Sequence, residues 1–161
     1  MRWAIVGFLG AAGCAAEPGC EAEALEAGAV AADLDGEAWE GAGASFLWGD
    51  DGVQVNTVRT NGWMLTLKLE STIDGTTLRE AMEGEDLPVE VALAEDGLAG
   101  WLTAYPESGG SYISKNAQGG SVTLTSLSET SLAACFDVVV QAGDGEEIEI
   151  SNGQMRAPAM E

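Results

Sequence analysis

The residues of this chain that could do chemistry are carboxylates, three cysteines and a scatter of tryptophan and tyrosine; histidine is absent. Without an imidazole there is no Ser-His or Cys-His nucleophile pair and no His-containing zinc site. Asp33-x-Asp35-x-Glu37 invites a calcium reading, because hard cations want several oxygen ligands close together. An EF-hand loop starting at Asp33 needs Gly at its sixth position and an acid at its twelfth, and Ala38 and Ala44 stand there. Asp50, Asp51, Asp144 and Glu146 fall in Gly-rich turns and read better as solvated turn carboxylates than as a looser cation site. No metal and no cofactor is therefore expected.

Glycoside hydrolysis uses a pair of carboxylates, but among 27 Asp and Glu some pair always has a suitable separation, so such a pair is no signal. Gly109-Gly110 and Gly119-Gly120 lack the Lys and the helix of a phosphate loop. No catalytic residue is assigned, and the chain reads as a non-enzyme. The remaining candidates are aromatic: Trp48, Trp101 and Tyr112 would line the mouth of a pocket for a sugar or small apolar ligand. Strand aromatics are more often core, and Trp63 opens an apolar alternation with Leu65, Leu67 and Leu69.

The 27 acids face 6 Lys and Arg, a formal charge of -21. A field of that sign repels phosphate backbones and excludes nucleic acid as a partner. It also excludes a polybasic contact with anionic lipid headgroups, leaving an inserted chain as the only membrane tether. After Arg2 comes an uncharged stretch, WAIVGFLGAAGCAA, too short for a bilayer core of ~30 Å. One positive charge, an apolar centre and a small-residue end before Cys14 match the three regions of a secretory signal, placed at 1–13.

Gly10-Ala11-Ala12-Gly13-Cys14 resembles a bacterial lipoprotein box, with Ala11 in place of the usual leucine. The resemblance implies that Cys14 is acylated, becomes the first residue of the mature protein and inserts into a lipid bilayer, on the periplasmic or outer surface. Cleavage by ordinary signal peptidase after Gly13 or Ala16, giving a secreted protein, is the alternative. Residues 14–28, rich in Ala, Glu and Gly, read as a flexible acidic tether, with one or two helical turns at 21–27 as the other reading. If Cys14 is acylated, Cys20 and Cys135 remain, an even number in an oxidising compartment, and a bridge between them is expected. A free Cys20 thiol and a Cys14 to Cys20 bridge are the rivals.

Elements to position these residues follow from Asx-Gly and Gly-Gly pairs that punctuate the chain from Asp35-Gly36 to Asn152-Gly153. Short strands between such turns mark an all-β fold, an antiparallel sandwich or partly open barrel of about 8 to 10 strands, in one domain over 29–158. Strands are expected at 29–34, 44–48, 53–59, 63–70, 89–93, 99–105, 121–127, 135–141 and 147–151, with one helical connection at 77–82. Alternation in the eighth strand turns Phe136, Val138 and Val140 inward and Cys135 outward with Asp137. Two hairpins have a preferred register: a three-residue loop Thr60-Asn61-Gly62 sets Val55 against Leu67 and Val53 against Leu69. A loop Gly143-Asp144-Gly145 sets Val140 against Ile148 and Val138 against Ile150.

The closing stretch CFDVVVQAGDGEEIEISNGQM, together with Asp35-Gly36-Glu37-Ala38-Trp39 and the Gly119 to Thr125 run, resembles small uncharacterised bacterial lipoproteins with a single β-rich domain. The family implies a fold and no activity. The expected function is a non-enzymatic, exported, membrane-anchored binding or structural module of the cell envelope; a secreted ligand-binding or sugar-binding β-domain is the alternative and a hydrolase the third.

Overall fold

The computed structural model describes residues 19–50, 52–71, 76–82, 86–93, 98–114 and 119–160. The expected signal segment 1–13 and Cys14 lie outside them. The elements are β1 (Val30–Leu34), β2 (Glu37–Trp48), β3 (Gly52–Val58), β4 (Trp63–Ser71), α1 (Leu78–Met82), β5 (Val89–Leu93), β6 (Leu98–Pro106), β7 (Tyr112–Ser114), β8 (Gly120–Leu127), β9 (Ser131–Gln141) and β10 (Glu147–Pro158).

Antiparallel pairing runs β10–β1–β2–β3–β4–β6, and β9 closes the circuit by pairing with β10 on one side and β7 on the other, while β7 pairs with β6. Eight strands thus form a closed antiparallel barrel, in keeping with the all-β sandwich or barrel expected. Closure leaves few unpaired strand edges, the liability of every open sheet. Farther along the strands β6 and β9 diverge, and β5 and β8 fill the gap, with β5 parallel to β6 and antiparallel to β8.

The two hairpin registers appear as expected: Val53 faces Leu69, Val55 faces Leu67, Val138 faces Ile150 and Val140 faces Ile148. The routes differ. In the C-terminal hairpin Ala142 N–H donates to Glu146 O, closing a loop at Gly143-Asp144-Gly145 with Gly145 at φ +96°. In the β3–β4 hairpin the loop has two residues, not three: Thr60 and Trp63 exchange both backbone hydrogen bonds, with Asn61 and Gly62 at φ +48° and +83°. An Asn-Gly pair is suited to two such left-handed positions. A bulge after Thr57 restores the apolar register, and the buried Thr57 hydroxyl accepts the Leu65 N–H at 2.9 Å.

Three further expectations are corrected. β2 begins at Glu37 rather than Ala44, because β1 pairs with a Glu, Ala and Gly stretch of poor strand propensity in which Trp39 is the one large inward side chain. β10 runs on to Pro158 because Asn152-Gly153, a turn signal in sequence, makes a bulge: Asn152 takes φ +51° and pairing resumes at Gly153 opposite Phe136. The three-residue β7, which closes the barrel, has no expected counterpart. The helical connection is present as α1, and Thr77 caps it.

Inward side chains fill the barrel. Val30, Phe46, Leu65, Leu67, Leu102 and Phe136 are among those at most 2% exposed, together with Leu124, Leu132, Ile150 and Met155. Among the described residues the barrel interior is a packed core.

Candidate functional site

The polar and aromatic groups of interest sit at the barrel's two ends and on its wall. Between Gly19 and Gly28 the chain is not the flexible tether expected there. It is a strap laid across β8, β9 and β10. Cys20 is disulfide-bonded to Cys135 on β9, with Cα atoms 5.7 Å apart. A 3₁₀ turn at Ala22–Ala24 follows, and Ala22 is fully buried against the strands. Arg156 on β10 then clasps the strap, donating to the carbonyls of Glu23 (3.1 Å) and Leu25 (2.8 Å), while Gly28 N–H donates to Arg156 O. The small residues that read as a tether are what lets the strap lie flat. Arg156 was missed, since one arginine in a strand carries no sequence signal for a partner more than 130 positions away.

The three candidate aromatics are not brought together. Trp48 plugs one end of the barrel: its ring packs edge-on against Phe46 (6.2 Å between centroids), and the Arg79 guanidinium of α1 lies 4.1 Å above its face. Arg79 also forms a two-pronged ion pair with Glu129. The buried Trp48 Nε1 has no hydrogen-bond partner among the described residues. A surface depression of 580 Å³ between Trp48, Met82 and Leu127 adjoins this plug.

Tyr112 stands at the opposite end, 6.1 Å from Trp63, and its hydroxyl donates to Glu146 at 2.8 Å. That hydrogen bond is the main cause holding the phenol above its ordinary pKa of 10.0, with Asp144 and Asp35 adding to it. Trp39, 5% exposed, closes the same end and donates from Nε1 to Thr60 O at 2.9 Å. A depression of 580 Å³ with Trp39, Trp63, Asp35 and Glu37 on its walls opens here. Trp101 is on the outer wall, with Lys68 Nζ 5.5 Å from its ring centre.

Three of the acidic turn residues serve local structure, while Asp51 lies outside the described residues. Asp33 accepts from the Asn152 side chain at 2.7 Å, Asp35 from Glu149 N–H at 3.0 Å, and Asp144 from Glu146 N–H at 3.2 Å. Each carboxylate thus takes up a donor of its own turn or of the neighbouring strand. Among the described residues no helix is long and apolar enough to cross a membrane. Comparison with known protein families, with curated proteins and with solved structures finds no match to this chain.

Proposed function

We propose that this protein is an exported, non-enzymatic lipoprotein: an acidic β-barrel held at a membrane through an acylated Cys14 and acting as a binding or structural module of the cell envelope. The observation that carries the reading is the bridge between Cys20 and Cys135. Disulfides persist in oxidising compartments, which supports export, and this one uses two of the three cysteines, leaving Cys14 as the odd sulfur in a lipoprotein-like box. The filled barrel interior supports a scaffold over a small-ligand carrier. The strap supports a load-bearing attachment, since a pull transmitted through residues just after Cys14 meets the disulfide before it meets the sheet.

Stable attachment requires more than one acyl chain, each contributing ~0.8 kcal/mol per buried CH₂. Cells fed labelled palmitate are expected to label the wild-type chain and the Cys20→Ser variant but not Cys14→Ser, and the labelled forms to partition into detergent. An unlabelled wild type that stays in the aqueous phase would mean a secreted protein.

A further inference from the structure

We propose that the depression at the Trp63 end of the barrel is a binding site for a small organic cation, an ammonium group carried on an alkyl or aryl body. The site lies outside the packed interior and does not depend on whether Cys14 is acylated. Its volume of 580 Å³ falls in the range of about 300–1,000 Å³ typical of small-molecule sites, for which the mouth of a barrel is a common location. Leu34, Trp39 and Ile148, at 7%, 5% and 7% exposure, line it from the core side, and the partly buried Trp63 lines it from β4. Asp35 and Glu37, both exposed, stand on it from the β1–β2 connection.

Hydrogen bonds that need no ligand hold this shape. Trp39 is fixed by Nε1 donating to Thr60 O at 2.9 Å. Asp35 N–H donates to Glu149 O at 2.8 Å, and the Asp35 carboxylate accepts the Glu149 N–H at 3.0 Å, so the carboxylate is tied to β10. Trp63 closes the Asn61-Gly62 turn through both backbone bonds with Thr60 and has the Tyr112 ring 6.1 Å away. Aromatic and carboxylate groups preset in this way lose little freedom when a ligand arrives, which favours affinity.

Charge selects the occupant. An aromatic ring attracts a cation to its face, and a carboxylate beside it adds Coulomb attraction. The negative field extends past the lining: Tyr112, beside Trp63, has its phenol held above the ordinary pKa first by the Glu146 hydrogen bond, with Asp144 and Asp35 adding to it. Arg59, the basic side chain of this end among the described residues, is taken up by the carbonyls of Gly62 at 3.4 Å and Tyr105 at 3.2 Å. A metal ion is a poorer occupant, because hard cations want several converging oxygens and among the described residues no three carboxylates or cysteines stand close enough to hold one. An ammonium of low charge density needs fewer, and its apolar body suits Leu34, Trp39 and Ile148. A neutral ligand gains nothing from the field.

The test is an NMR titration of the full chain carrying Cys14→Ser, so that acylation plays no part, with choline and separately with 3,3-dimethylbutan-1-ol, its neutral isostere. Choline is expected to move the indole N–H resonances of Trp39 and Trp63 saturably while those of Trp48 and Trp101 stay in place. The isostere should bind about fivefold more weakly or less well still. Glu37 is exposed, so its replacement leaves the fold intact; Glu37→Gln should weaken choline about threefold and Glu37→Lys about tenfold. Glu90→Gln removes the same charge from β5, away from the depression, and should change nothing. A titration that never saturates, an isostere that binds as well as choline, shifts confined to Trp48 or Trp101, or a Glu37→Lys variant that binds like the wild type overturns the proposal.

Discussion

Tyr112 and Glu146 form the most informative pair of single residues at the barrel's Trp63 end, because one of them reports on the other. The neutral phenol donates to the carboxylate, so ionising Tyr112 both breaks that hydrogen bond and places two anions together, and the phenol is held above 10.0. A raised folded-state pKa contributes stability that is complete below the unfolded value and lost as pH rises through the folded one. Ultraviolet titration should therefore show one tyrosine ionising late, and Glu146→Gln should bring it back towards the ordinary range. A titration curve identical in both proteins would mean the hydrogen bond is not formed in solution. Gly153 poses a steric problem instead: the Phe136 ring lies where its Cβ would be, so a side chain there meets the ring. Gly153→Ala should cost about 1–3 kcal/mol by overpacking, read as a lower urea midpoint, and Phe136→Leu in the same chain should return part of the loss.

Among the elements, α1 shows how a short helix is held at its N-terminus. Thr77 and Glu80 make a capping box: Glu80 N–H donates to Thr77 Oγ1 at 3.3 Å, and the Glu80 carboxylate accepts the Thr77 N–H at 2.8 Å. The Thr77 N–H, then the Thr77 hydroxyl, hold the Glu80 carboxyl below its usual pKa. A depressed folded-state pKa means this contribution is present at neutral pH and fades as pH falls through the carboxylate range. Thr77→Ala should cost about 1 kcal/mol and loosen α1, seen as faster amide exchange at Ala81, whose N–H bonds to Thr77 O.

The same scale shows what the residues alone could reveal. The β3–β4 and β9–β10 registers were legible because a slip by one residue would turn Leu67, Leu69, Ile148 and Ile150 out to water. The extent of β2 was not, since Glu37 to Gly41 are held in the sheet by pairing to β1 and by Trp39, which is a tertiary cause. The Asn152-Gly153 bulge and the Asn61-Gly62 turn use the same left-handed conformation, and only the neighbouring strands decide which it becomes. The strap was legible as far as its cysteine. Its clasp by Arg156 was not, because that contact joins opposite ends of the chain.

For the whole molecule, the consequence of joining Cys20 to Cys135 is set by how much chain the bridge encloses. The sequence separation is 115 residues, so it closes a loop comprising nearly all of the barrel. In the chain-entropy account such a loop restricts the unfolded ensemble enough to stabilise the fold by roughly 4–5 kcal/mol. Two features separate that effect from loss of local packing. The fully buried Ala22 and the Arg156 hydrogen bonds hold the strap to the sheet without any help from sulfur. The barrel itself is closed by β9–β10 pairing and filled by its own side chains, so its native state does not need the bridge. Replacing both cysteines by serine should therefore leave a folded barrel with the same far-ultraviolet circular dichroism. Its Tm should fall by roughly 10–20 °C for a domain of this size. Removing the Arg156 clasp alone, as Arg156→Ala, should release the strap's carbonyls while the bridge still limits the unfolded chain, and should lower Tm by much less. Equal losses from the two variants would show that the bridge acts by holding the strap in place, and that its enclosure of the barrel sequence contributes nothing.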